Sequence, residues 1–469
     1  MRGRRWGIFG TLGAAGAAAI TSIILATGNA AQTAHLWIAT TGNDTTCTRN
    51  ASLVDYSTAV ANGNVCATGP KAYQLASLGD TVYVKGGTYT TTWTFSTTKT
   101  ATAGTCNYNY GGASDLSNCV TFKAASGETP TFAVGGTQTE DIHVCADFLA
   151  FDGLTFTDTT YTEASTGDTL SNAAFGIGKG DSSCRPGSDS PHDIYLHNLT
   201  VGLVNIGGGS YNVWVVGGTS TGSHDLGWNF GGSCTPCTDA LHNSGIVGMT
   251  FIDSGYQNHD YPTHHMTVIH TTGATPSVPN HDLTFAGNRF EGACSVNACP
   301  EELEVETSLT NSTFENNYFD GTAVFDIVCN SSNGCVTSGN TIRFNTFANG
   351  SAFQGRQGCL SSCTGTITGS VYGNINPTCP TTITLPAGSA GYAYSYNVES
   401  ATQSGQCAGS TGSVYSTTTS FVSAGSPNYN DALAASQTAA GFVPNSVTWP
   451  ATNIDGTIRS GATTDAGAS

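Results

Sequence analysis

Charge is what this sequence has least of. Only 10% of its 469 residues are charged, with 14 Lys or Arg against 32 Asp or Glu. A chain so poor in cations has no basic stripe to meet phosphates, which excludes nucleic acid and anionic membrane surfaces as partners. Long apolar runs are missing after residue 26, so no later segment is suited to span a bilayer. A second CxxC is missing as well. Cys234 and Cys237 stand alone in that spacing, and a structural zinc site needs two further ligands.

What is present is small, polar and regularly interrupted. Glycine is abundant at 59 residues, and short apolar groups recur between Ser-, Thr- and Asn-rich turns. That composition suits many short strands joined by tight turns. The length exceeds one ordinary core, so several domains or one elongated repeat is expected.

The first segment reads as an export signal. Arg2, Arg4 and Arg5 form a basic start, an Ala/Gly-rich apolar stretch runs from Trp6 to Ala26, and Gly28 to Ala30 offers a small-residue cleavage site. Retained as an anchor, the same stretch makes a poor spanning helix because of its glycines. Cleavage within residues 1–30 leaves 11 basic and 32 acidic residues, a formal charge of −21. Such a surface also repels anionic polysaccharides unless a cation mediates. All 16 cysteines follow the signal, as expected of a secreted or cell-surface protein in an oxidising compartment. The close pairs Cys294/Cys299, Cys329/Cys335 and Cys359/Cys363 read as loop staples, as does Cys379 with Cys407, although spacing alone does not set connectivity.

The informative signal is an internal repeat. A hexapeptide of the form apolar-x-[Gly/Asn]-[Asn/Leu/Met]-x-[Phe/Val] occurs as FDGLTF (151–156), LHNLTV (196–201), IVGMTF (246–251), FAGNRF (285–290), FENNYF (314–319) and IRFNTF (342–347), with VVGGTS (215–220) a degenerate copy. Each copy is too short for a helix and alternates like a strand. One coil cannot bury its own apolar face, but stacked coils can. Stacking places Phe290, Phe319 and Phe347 in one internal row and Asn288, Asn317 and Asn345 at one register position. There the amides can bond coil to coil, as in other stacked-strand structures. The expected fold is therefore all-β, a parallel β-helix over residues 31–398, with a short amphipathic helix near 70–76 capping its first coil. Residues 399–469 form a Ser/Thr/Gly-rich extension.

The segments LWIATTGND (36–44) and AYQLASLGDTVYVKGGTY (72–89) resemble the opening of secreted right-handed parallel β-helix proteins of the pectate-lyase-like superfamily. That group includes pectate, alginate and chondroitin lyases. The stretches 421–427, 453–459 and 465–468 resemble its usual C-terminal ending. The resemblance covers nearly all of the chain after the signal and implies a right-handed solenoid with a polysaccharide-directed outer sheet. It carries over no catalytic set: neither the Lys-and-Arg constellation of the alginate-type relatives nor the paired Asp of the polygalacturonase type is found.

Candidate chemistry lies in the strand ELEVE (302–306). Leu303 and Val305 alternate inward, which puts Glu302, Glu304 and Glu306 outward together. In VFDIV (324–328) the same alternation stacks Asp326 beside Glu304, and in SAFQGR (351–356) it brings Gln354 and Arg356 into line. His264 and His265 are expected one coil earlier, with Asp260, and Asp239 and His242 before that. Glu304 and Asp326 are the candidate acid/base pair, Arg356 the group neutralising a substrate carboxylate, and His265 the alternative base. Glu302, Glu304 and Glu306 are the candidate ligands for Ca²⁺, which takes six to eight oxygens. The competing reading is a solvated acidic face on a non-catalytic adhesin or envelope protein.

Overall fold

The computed structural model describes residues 32–97, 99–101, 105–112, 114–137, 139–162, 164, 169–178, 191–207, 209–221, 228–232, 240–252, 269–271, 278–292, 303–305, 308–321, 324–327, 336–347, 352–354, 366–374, 391–395, 398–400, 414–416, 443–444 and 463–464. The expected signal segment lies outside them, as do the CxxC and the three close cysteine pairs.

Parallel pairing between successive coils dominates. A 21-stranded sheet and a nine-stranded sheet run the length of the described solenoid, from Leu36 to Ser395, and the chain is a right-handed parallel β-helix. One coil shows the plan. Leu303–Val305 lies in the short sheet, followed by Leu309–Thr310, Thr313–Glu315 and Tyr318–Gly321 in the long one. Val324–Ile327 then re-enters the short sheet directly beside Leu303–Val305.

The hexapeptide's third position is where the chain bends. Gly153, Asn198, Gly217, Gly248, Gly287, Asn316, Phe344 and Gly373 occupy it in successive coils, and all have positive φ. Glycine and asparagine adopt that left-handed conformation readily. Phe344, with φ +56°, is the bulky exception. A second left-handed column precedes it: Phe148, Asp193, Asn212, Asn243, Asp282, Asn311 and Gly339. The two bends fold the long sheet around two sides of each coil.

The fourth hexapeptide position builds the expected asparagine ladder. Asn288 Nδ2 donates to Asn317 Oδ1 at 3.0 Å, Asn317 Nδ2 to Asn345 Oδ1 at 2.9 Å, and Asn345 Nδ2 to Asn374 Oδ1 at 3.0 Å. Each Oδ1 also accepts the backbone N–H of the preceding asparagine. All four residues are fully buried, so these bonds satisfy groups that water does not reach. Beside them Phe251, Phe290, Phe319 and Phe347 stack with ring centroids 5.1, 4.6 and 4.9 Å apart. The stack and the ladder fix one register per coil, because a slip by one residue would bury polar groups and expose rings.

The first coil is covered by the helix read from the sequence. Helix α2, Gly69–Leu75, has Thr68 as N-cap and Pro70 in its first turn, where the missing N–H costs nothing. It buries Ala72 and Tyr73, and the Tyr73 hydroxyl donates to the Asp147 carbonyl at 2.6 Å. A preceding helix, α1 (Tyr56–Ala61), is capped by Asp55 and was not expected. Disulfides Cys47–Cys66 and Cys106–Cys119 staple the capping region and a surface arm. Among the described residues no helix is long and apolar enough to cross a membrane.

Candidate functional site

The short sheet carries one unbroken polar register. Thr94, His143, Gly176, Asn205, Asn229, His270, Glu304, Asp326 and Gln354 pair in sequence across its nine strands. The residues on either side are core wherever burial is described: Trp93 and Phe95, Ile142 and Val144, Phe175 and Ile177, Val204 and Ile206, Trp228 and Phe230, Leu303 and Val305. Strand alternation therefore sets the nine positions on the face opposite the core. At about 4.8 Å per coil the column is about 38 Å long, a length suited to a polymer rather than a single small molecule.

At its N-terminal end the side chains cluster. The Glu140 carboxylate lies over Gly176, where any β-carbon would sit 2.2 Å from Glu140 Cδ. A larger residue here would have to displace the end of the Glu140 side chain, so glycine leaves that carboxylate room over the column. The His143 ring is 4.0 Å from Glu140 Oε2 and 3.7 Å from the sulfur of the disulfide-bonded Cys145. Asp141, 3% exposed, has its carboxyl pushed up to about 7. Burial is the main cause and the nearby Asp158 adds to it, while the hydrogen bond from the Val134 N–H opposes both.

Towards the C-terminal end the strands hold His270, Glu304, Asp326 and Gln354 in consecutive coils. The backbone register brings Glu304 directly beside Asp326, and Asp326 beside Gln354. The strand before Leu303–Val305 is Ile269–Thr271, so the histidine in register with Glu304 is His270. Alternation read from the His264–His265 pair misses it, since nothing local marks Ile269–Thr271 as the paired strand. His265, His264, Asp260, Asp239, Glu302, Glu306 and Arg356 lie outside the described residues. His242 is a correction: it belongs to the long sheet, in His242–Val247. The short-sheet strand of that coil is Trp228–Gly232, ten residues earlier. Arg289 and Arg343 are in the long sheet, paired with Glu291 and Glu315. Among the described residues no group of three metal-ligating side chains forms.

The long sheet has a recess of its own that the sequence did not announce. An arm closed by Cys106–Cys119 and by the bridge between Asn107 and Asp115 lies across its outer face. Beneath it is a cleft of about 400 Å³.

No family model and no curated protein matches the sequence. Several solved structures do match the fold. Pectate lyase Pel9A is 12% identical, with a TM-score of 0.37 over 92% of this chain and 95% of that one. An alginate lyase from a Paenibacillus species is 14% identical, with a TM-score of 0.34 over 74% and 94%. The PL6 family alginate lyase AlyGC is 11% identical, with a TM-score of 0.35 over 76% and 54%. The continuous coil-to-coil parallel pairing gives this chain the architecture of a parallel β-helix.

Proposed function

We propose that this is an extracellular protein that binds a polysaccharide along the short-sheet column and hydrolyses it at the Glu304–Asp326 pair. The observation behind this reading is the register that sets those two acidic residues side by side in adjacent strands. A spacing of about 4.8 Å between strands is close to the roughly 5–5.5 Å that separates the carboxyl groups of retaining glycosidases. In that chemistry one carboxyl protonates the glycosidic oxygen while the other carboxylate attacks the anomeric carbon, releasing the leaving sugar. Water, deprotonated by the first group, then cleaves the glycosyl ester. In such pairs, carboxylates within a few ångströms of one another do not both ionise freely, which is how this chemistry obtains its acid. His270, whose backbone is next in register, is the residue we propose to share that proton.

Export is supported by the disulfides Cys47–Cys66 and Cys106–Cys119, which persist in oxidising compartments. With the Glu304–Asp326 pair kept for catalysis, Glu302 and Glu306 would be the ligands of a calcium ion that neutralises the carboxylate of an acidic sugar. Carboxylate oxygen suits that hard cation.

The test is a polysaccharide panel on the mature, oxidised protein, with calcium and with a chelator, reading new reducing ends and unsaturated products. Reducing ends without unsaturation, abolished by Glu304→Gln and Asp326→Asn, are the expected result. Unsaturated products would replace hydrolysis by β-elimination. Turnover unchanged in both variants would remove the pair from the mechanism.

A further inference from the structure

The cleft beneath the arm lies on the long sheet, away from the short-sheet column. Its floor is the second of the left-handed columns: Asp193, Asn212, Asn243 and Asp282, from four successive coils, all line it. Three coil steps span about 14 Å. Its roof is the arm, which contributes Tyr108 and Tyr110. Tyr108 stacks on Tyr195 with ring centroids 5.6 Å apart and tilts against Trp214 at 5.3 Å. The Trp214 ring lies over Gly245, where a β-carbon would sit 2.5 Å from it, so the indole is laid flat along the sheet by the absence of a side chain in the next coil. At the far end Tyr110 is hydrogen-bonded to the buried Glu315.

The polar groups at the deep end are held in place. Trp214 Nε1 donates to Asn212 Oδ1 at 2.9 Å, Asn212 Nδ2 donates to Asp193, and His192 Nδ1 lies 2.7 Å from the other Asp193 oxygen. Asp193 is fully buried and Asn212 nearly so. The shallow end differs: Asn243 and Asp282 are exposed along the rim. A preorganised floor, aromatic walls, and at the rim an exposed amide and a carboxylate that His281 Nδ1 approaches at 2.7 Å make a built recess whose size suits a small ligand.

The charge of the lining restricts the ligand. Two carboxylates, Asp193 beside His192 and Asp282 beside His281, line the cleft with no Lys or Arg, so the lining offers no fixed cation to hold an anionic sugar. Tyrosine and tryptophan faces, with amide and carboxylate acceptors beside them, match a ring that has a C–H face and many hydroxyls. We infer that the cleft between the arm and the Asp193–Asn212–Asn243–Asp282 column is a binding site for an uncharged oligosaccharide. It is separate from the short-sheet column, and it does not require that the column be catalytic.

The backbone suggests clean variants. Asn243 and Asp282 have φ of +46° and +54°, a region where glycine is at ease, so Asn243→Gly and Asp282→Gly remove the rim side chains without straining the chain. The experiment is titration calorimetry of the full mature protein with cellotetraose, mannotetraose and maltotetraose, with tetragalacturonate as the charged control and choline as a cationic one. The expected result is saturable binding of at least one neutral tetrasaccharide. Each glycine variant should weaken it about tenfold, the loss of one good hydrogen bond, and the double variant Glu304→Gln/Asp326→Asn should leave it intact. The inference is overturned if no neutral tetrasaccharide binds, or if only tetragalacturonate or choline responds to the glycine variants. It is also overturned if neutral binding ignores those variants and disappears in the Glu304→Gln/Asp326→Asn protein.

Discussion

The two outer sheets of this solenoid use repetition in opposite ways. In the long sheet the same residue type returns at the same place: Asn288, Asn317, Asn345 and Asn374 in the ladder, Phe251, Phe290, Phe319 and Phe347 in the stack. In the short sheet the register is kept as faithfully, yet almost every coil offers a different group, running from Thr94 through His143, Gly176 and His270 to Glu304, Asp326 and Gln354. Stacking energy rewards identical neighbours, so a position that keeps its register while changing its chemistry is under some other demand. On the proposed function, that demand is recognition of a polysaccharide.

Four measurements would break or sharpen this contrast. The largest effect is expected at the varied column. Glu304→Gln or Asp326→Asn should lower turnover roughly 100- to 10,000-fold, the usual contribution of a general acid or base. The urea unfolding midpoint should hardly move. A parallel loss of stability would mean that these positions are structural after all.

Next comes Asp141, on the short-sheet strand Glu140–Val144. Its carboxyl is raised to about 7 in the folded protein, against about 3.9 when unfolded. The folded state therefore binds the proton more tightly. This group's contribution is complete below about pH 4 and is lost as pH rises towards 7, by roughly 4 kcal/mol at most. Asp141→Asn keeps the acceptor for the Val134 N–H and should flatten that fall in unfolding experiments across pH 4–8. An unchanged slope would show that the carboxyl is not raised.

The repeated positions should respond in the reverse sense to the catalytic pair. Asn317→Ala removes an amide that donates to Asn345 and to the Phe285 carbonyl and that accepts from Asn288. It leaves buried neighbours unsatisfied and should cost about 3 kcal/mol in urea unfolding. The specific activity of the folded fraction should be unchanged; lost activity would tie the ladder to function. The smallest effect is expected from Phe319→Leu. Losing its stacking with Phe290 and Phe347 should cost about 1–2 kcal/mol by the same measure. A cost below that of exposed substitutions would mean the stack contributes little to register.

The same division explains what could be read in advance. The ladder and the phenylalanine row were visible because each recurs every 28 or 29 residues with its neighbours intact. The Glu304–Asp326–Gln354 register was visible because apolar residues flank each member and the loops between them are short. His270 was not. No described strand lies between Ile252 and Ile269, and His264–His265 offered a more obvious pair for the alignment. The arm cleft was invisible for a different reason. Tyr108 and Trp214 are 106 residues apart, and their meeting depends on the arm closed by Cys106–Cys119. The glycine-or-asparagine choice at the third hexapeptide position was noticed as a pattern, but its cause appeared only with the left-handed bends at residues such as Asn198 and Gly287.

The ladder also makes this architecture a ruler. Since every coil meets the next through the same few positions, a whole coil of 28 or 29 residues can be added or removed between equivalent asparagines with the interfaces on both sides preserved. The length of polysaccharide that the proposed column would span is then counted in coils, one graduation of about 4.8 Å at a time. Changes of that kind would lengthen or shorten the binding face by duplication or deletion of a gene segment, leaving the chemistry at each remaining mark untouched.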